Sequence, residues 1–320
     1  MYSTPMRVML LVFVLSAFSL GVKAQQDPQF THNMFNHAFV NPGSYGLSEG
    51  ITVTGIFREQ WVGFKDYNTK EKVSPETFLV TADAPVRFLR GGVGIGIAQD
   101  KEAQIKNMLV KLGYSYHLNL GNAKLGIGLN ANLNNKSIDK ENLNPVDESD
   151  PVLMGLSGEG IMITDMAVGA FFQKPRYYIA FSSTQILETK KTAADSDGVT
   201  FFKNRRHYYL TGGHDIVLPA FQGYVFTPSV FLKSDMNTFQ ADINLMARYN
   251  NKVWGGLSYR INDAVSLMVG VAYKDLEIGY SYDIPTSQIA ATGSHEIMAR
   301  YRFKIERDKT RTGYRNTRYL

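Results

Sequence analysis

The stretch Thr238-Phe239-Gln240-Ala241-Asp242-Ile243-Asn244-Leu245-Met246-Ala247-Arg248-Tyr249 decides the fold. Phe239, Ala241, Ile243, Leu245, Ala247 and Tyr249 fall on one face of an extended chain, and Gln240, Asp242, Asn244, Met246 and Arg248 on the other. A helix would scatter those polar groups around its circumference, so the period of two predicts a strand. The same alternation recurs in Tyr224, Phe226, Pro228, Val230 and Leu232, and again in Leu125, Ile127, Leu129, Ala131 and Leu133 against Gly126, Gly128, Asn130, Asn132 and Asn134.

Working outward, fourteen runs of this kind appear, at 51–63, 77–86, 91–99, 105–118, 123–134, 162–173, 176–186, 205–217, 223–233, 238–249, 252–261, 264–273, 275–284 and 294–304. Connections after the even-numbered runs are tight, as at Leu120-Gly121-Asn122, Lys174-Pro175-Arg176, Asn250-Asn251-Lys252 and Lys274-Asp275. Those after the odd-numbered runs are mostly longer, the longest being Asn135 to Ile161 and Leu187 to Asn204, with Asn262-Asp263 the exception. Hydrocarbon cannot satisfy an open strand edge, so strands of about ten residues in even number, with turns short at one end and longer at the other, predict a closed outer-membrane barrel. The expectation is an all-β antiparallel barrel of about 14 strands (12–16) over 51–304. A secreted β-sandwich or propeller would show similar single strands, but the apolar face here is too uniform, and the opposite face too rich in Gly, Ser, Asn and isolated charges, for a solvated exterior. Tyr177, Tyr178, Tyr208, Tyr209, Tyr249, Tyr273, Tyr280, Tyr282 and Tyr301 are expected in the interfacial girdles. Ala299, Tyr301 and Phe303 end the last strand, with Arg300 and Arg302 turned inward.

The 320 residues include no cysteine, which excludes disulfides, cysteine-ligated metals and thiol catalysis. At the N-terminus, Arg7 precedes an apolar run from Val8 to Leu20, and Gly21-Val22-Lys23-Ala24 leads to Gln25. This predicts a signal peptide over 1–24, cleaved between Ala24 and Gln25; an inner-membrane anchor would need a longer apolar run. The formal charge of +5 is concentrated at the other end. Lys304, Arg307, Lys309, Arg311, Arg315 and Arg318 face only Glu306 and Asp308 in the last seventeen residues. With both ends of an even barrel expected in the periplasm, the 305–320 tail would be either a solvated basic segment touching anionic lipid or an arm for an acidic partner. Nucleic acid does not fit that compartment.

Between the signal and the first strand, residues 25–50 carry Gln26-Asp27-Pro28-Gln29-Phe30, Met34-Phe35-Asn36 and Asn41-Pro42-Gly43-Ser44-Tyr45-Gly46. Prolines and glycines at these spacings forbid a long regular element and predict turns folded against or inside the barrel, as a periplasmic or plug-like segment. The pattern resembles the start of the PorP/SprF family of the Bacteroidota type IX secretion system. Phe57-Arg58-Glu59-Gln60-Trp61, Trp254-Gly255-Gly256-Leu257-Ser258-Tyr259-Arg260, Gly279-Tyr280-Ser281-Tyr282-Asp283-Ile284 and Gly293-Ser294-His295-Glu296-Ile297-Met298 fit the same family. His37 and Asn262 depart from its commoner forms. The resemblance implies a non-enzymatic outer-membrane component of that apparatus, which exports proteins bearing a C-terminal secretion domain, virulence factors among them, and supports gliding motility in some species. It implies contact with outer-membrane lipid, with PorK/PorN-like periplasmic ring subunits, and with C-terminal-domain cargo or one large surface adhesin. Asp27, Pro28, Phe30, Asn41 and Pro42, together with Arg307, Arg311, Arg315 and Arg318, are the candidate partner-binding residues.

Catalysis and metal binding find no support in spacing. The six histidines His32, His37, His117, His207, His214 and His295 form no His-x-His or His-x-x-x-His pair, and no cofactor is expected. Ser115 and His117 share a strand face, which alone is no triad, although a lipid-directed enzyme could be built from such a pair. Gly91-Gly92-Val93-Gly94-Ile95-Gly96 lies inside a strand rather than before a helix, so its expected role is to let the wall bend or a plug approach closely. The inward charges mix signs from Arg58 to Arg302, which predicts a polar lumen. An alternative from another class is a transporter of small hydrophobic molecules resembling fatty-acid channels, which would need an apolar path.

Overall fold

The structure, a computed structural model, describes residues 28–48, 50–65, 72–139, 160–192, 200–287 and 292–305. The expected signal peptide and most of the basic tail lie outside the described residues. Its strands are β1 (Gly50–Glu59), β2 (Glu76–Val86), β3 (Gly91–Glu102), β4 (Ile105–Leu120), β5 (Ala123–Ile138), β6 (Ile161–Gln173), β7 (Tyr177–Thr184), β8 (Lys190–Thr192), β9 (Thr200–Lys203), β10 (His207–His214), β11 (Tyr224–Ser234), β12 (Phe239–Tyr249), β13 (Val253–Arg260), β14 (Ala264–Tyr273), β15 (Leu276–Pro285) and β16 (Ser294–Lys304). All but β8 and β9 form one closed antiparallel barrel of 14 strands in sequence order, sealed by β1 against β16 from Gly50↔Lys304 to Glu59↔His295. No β-strand edge is left for lipid to meet along that closure.

The chain is inside-out relative to a water-soluble sandwich. In β12, Ile243 is 52% exposed and its neighbour Asn244 1%. Ile95, Leu112, Ile127, Phe181, Leu257, Val269 and Ile297 join Ile243 on the exposed apolar exterior. Ten-residue strands tilted by about 40° cover an apolar band of about 25 Å. β4 and β5, at 16 residues each, run well past it. Their extra residues on the longer-loop side include the polar Lys106, Asn107, Lys136 and Ser137, between the terminal pair Ile105 and Ile138.

The tight turns follow the sequence. Asn250 and Asn251 both take positive φ (48° and 53°), the conformation demanded at the two central positions of a type I′ turn, here closed by Lys252 N–H donating to Tyr249 O at 2.9 Å, and asparagine accepts it more readily than most residues. Four expectations are corrected. Ala103-Gln104 is a second tight connection on the longer-loop side, because Asp100, Lys101 and Glu102 continue to pair with Asn107, Lys106 and Ile105. The 187–204 stretch contains the β8–β9 hairpin. Tyr178 and Tyr209 do not belong to an outer girdle. Neighbours in a strand face opposite ways, so Tyr177 and Tyr208 turn outward, while Tyr178 packs on Phe171 in the lumen and Tyr209 is buried. The inner face also carries apolar side chains, Ile56, Leu79, Met246, Trp254, Met268 and Met298, so the lumen is not uniformly polar.

Candidate functional site

The inner wall is occupied by the chain itself. Residues 28–48 lie within the barrel as short turns, one of them a helical turn at His37–Val40, and contact strands around the circumference. No regular element could fill this irregular space, and prolines and glycines supply the changes of direction.

The upper part of the segment is held by buried charge. Glu296 accepts hydrogen bonds from the backbone N–H groups of Thr31 and His32, each at 2.8 Å, and its Oε1 lies 2.7 Å from His32 Nδ1. Thr31 Oγ1 donates to Asp283 at 2.8 Å and accepts from Arg58 Nη1 at 3.1 Å. Arg58 pairs with Asp283 at 2.7 Å and with Glu296 at 3.1 Å. Arg260 joins Asp283 (3.8 Å) to Asp242 (3.3 Å), which in turn accepts from Asn33 Nδ2 at 3.2 Å. Buried charges survive only when paired and hydrogen-bonded, and here the two carboxylates of β15 and β16 are matched by Arg58 and by donors of the segment itself. The pairing register explains the meeting: Arg58 stands opposite Glu296, and Glu296 opposite Ser281, two residues from Asp283.

The middle is apolar. Phe30, Phe35 and Phe39, with Met34 and Val40 beside them, pack against Ile56, Leu79, Leu109, Met246, Trp254, Met268 and Met298. Phe30 meets Phe39 edge-on at 5.8 Å, and Phe35 meets Trp254 at 4.9 Å. Lys111 places its ammonium 3.9 Å from the centre of the Phe39 ring and donates to Phe39 O at 2.8 Å.

The lower part sits in a backbone seat. Asn41 Nδ2 donates to Ala170 O and Phe181 O, both at 3.1 Å, while its Oδ1 accepts from Gly43 N at 2.8 Å. Ser115 donates to Gly43 O at 3.0 Å, and His117 Nε2 lies 2.8 Å from Tyr45 O. A Cβ on Gly94 would stand 2.3 Å from the Tyr45 ring, so the glycine-rich run of β3 makes room for this aromatic, as the sequence predicts. Ser115 and His117 thus each hold a backbone carbonyl of the segment.

Among the candidate partner-binding residues, Phe30, Asn41 and Pro42 are buried in these contacts, and Pro28 is partly buried beside Gln29, Lys233 and Gln240 at the edge of a small cavity. Asp27, Arg307, Arg311, Arg315, Arg318, Ala24 and Gln25 lie outside the described residues. Thr31 and His32 are not among the partner-binding candidates, although buried inward carboxylates on β15 and β16 require donors facing them. Trp254, Arg260, Gly279, Asp283 and Glu296, scattered over three separate motifs, converge on this one segment. Among the described residues no group of His, Asp and Glu is placed to hold a metal, and no helix is long and apolar enough to cross a membrane.

Comparison with solved structures returns barrels. The outer membrane protein Omp33 of Acinetobacter baumannii shares 11% identity and a TM-score of 0.45, over 81% of this chain and 100% of that one. A deltaS2S3 mutant of the TodX monoaromatic hydrocarbon channel shares 9% and 0.47, over 83% and 94%. The KdgM porin shares 9% and 0.38, over 79% and 99%. Likeness this distant says nothing about what the lumen does. No curated protein matches the chain. The model of the family "Type IX secretion system membrane protein PorP/SprF" matches residues 22–301, a span that holds the lumen segment and nearly all of the barrel. The chain therefore belongs to the PorP/SprF family and is an outer-membrane β-barrel component of the type IX secretion system.

Proposed function

We propose that this barrel is a non-enzymatic docking subunit, which anchors other parts of the apparatus at the outer membrane and does not itself conduct the exported chain. The observation that carries this reading is the lumen segment, fixed by paired charge above, aromatic packing in the middle and a backbone seat below. An exported polypeptide would have to displace all three. The apolar inner surface that a hydrophobic transporter would need is covered by Phe30, Phe35 and Phe39 of the chain itself. With the lumen closed, partners have the two rims: periplasmic ring subunits at the tight-turn rim, beside the basic tail, and cargo or a large surface adhesin at the long-loop rim. Mass spectrometry of proteins co-purifying with the detergent-extracted barrel from native membranes tests this. Recovery of ring subunits or of one large surface protein is expected; finding neither would overturn the docking role.

A further inference from the structure

The direction of the lumen segment carries a consequence for topology. Phe30 and Gln29 adjoin Lys233 and Gln240, one residue from the ends of β11 and β12, and Thr31 and His32 adjoin Glu296 and Asp283, close to the β15–β16 connection. These strand ends form the rim that carries the 60–75, 139–160 and 185–206 connections. The other end of the segment lies at the opposite rim. Gly43 O meets Ser115 and Tyr45 O meets His117, near the β4–β5 turn, Gly46 N donates to Asp83 near the β2–β3 turn, and Gly50 opens β1 opposite Lys304. Residues 28–48 therefore cross the lumen once, from the long-loop rim to the tight-turn rim.

From this threading we infer that the processed N-terminus of the protein is displayed at the cell surface beside the long loops, while the C-terminus leaves on the periplasmic side. Counting strands puts both ends on one side, but the segment makes one further crossing that strand parity omits. Only Gln25, Gln26 and Asp27 separate Pro28 from the expected cleavage site, and three residues reach about 10 Å. Returning across the wall would take about 25 Å, through a lumen already filled. The inference deepens the docking reading, since it adds a free chain end to the surface rim, and it rests on the orientation with long loops outside.

Because the chain has no cysteine, single-cysteine variants report sidedness without background. Gln26→Cys is compared with Phe64→Cys in the 60–75 connection and Phe88→Cys in the β2–β3 turn, where the native side chains are 46% and 86% exposed. Each variant is first checked for heat-modifiable migration as an assembled barrel, then treated with a membrane-impermeant maleimide on intact and on permeabilised cells. Labelling of Gln26→Cys and Phe64→Cys on intact cells, with Phe88→Cys reacting only after permeabilisation, is the expected result. If Phe64→Cys labels on intact cells and Gln26→Cys only after permeabilisation, the threading inference is overturned and the orientation stands. If Phe88→Cys alone labels on intact cells, the orientation is wrong and the surface display of the N-terminus falls with it.

Discussion

Gly43 of the lumen segment and Gly126 of β5 meet backbone to backbone: a Cβ on Gly126 would stand 2.0 Å from Gly43 O, and a Cβ on Gly43 would stand 2.8 Å from Gly126 O. Neither position tolerates a side chain without moving main chain, so the wall and its occupant are fitted to one another. The contact is local to the inner face. Ile127 and Leu129, the outward neighbours along β5, take no part in it.

Gly126→Val combined with Gly128→Val is therefore expected to leave barrel assembly intact while unseating the 41–46 stretch, at a cost typical of overpacking, about 1–3 kcal/mol. Single-channel recording in planar bilayers checks it. The parent protein should be closed or nearly so and the variant open; unchanged conductance would mean that the segment does not obstruct the lumen.

Glu296→Gln should loosen the other end. The amide keeps one acceptor oxygen where the carboxylate serves Thr31 N, His32 N, His32 Nδ1 and Arg58. Removing one partner of a buried ion pair costs about 3–5 kcal/mol. The expected readout is a clear fall in the temperature at which the barrel loses its fast electrophoretic migration.

Asn41→Ala removes donors to two wall carbonyls and the acceptor for Gly43 N, a loss of about 1–3 kcal/mol for buried groups left unpaired. Combined with replacement of Asp27 and Phe30, it should give a protein that is made and inserted yet fails to support export. Cargo in the culture medium is the measurement; normal export would reduce the segment to a spacer.

Deletion of residues 307–320 should leave insertion unchanged and weaken association with the periplasmic ring, because Arg307, Arg311, Arg315 and Arg318 are the excess positive charge of the chain end. Pull-down of ring subunits at low and high salt checks both the contact and its electrostatic origin. Equal recovery from the full chain and the truncated one would remove the tail from the docking surface.

The strands were legible because lipid outside and polar groups inside impose a period of two that tight turns then punctuate. Polar extensions misled: Asp100-Lys101-Glu102 reads as loop, yet it stays paired above the apolar band. The β8–β9 hairpin carries no such signal, because it stands apart from the barrel sheet whose apolar exterior marks the other strands. The clamp was legible only in fragments. Arg58, Asp283 and Glu296 could be assigned inward one at a time, but Arg58 and Glu296 are 238 residues apart and meet only when β1 closes on β16.

The sequence by itself determined that the chain forms a closed membrane barrel, since alternation is a property of each strand alone and hydrocarbon permits no open edge. The tertiary structure decided what fills that barrel and which way the filling runs. An inward side chain finds its partner through strand order, register and stagger, and an aperiodic segment such as 28–48 has no preferred place until those wall positions are set.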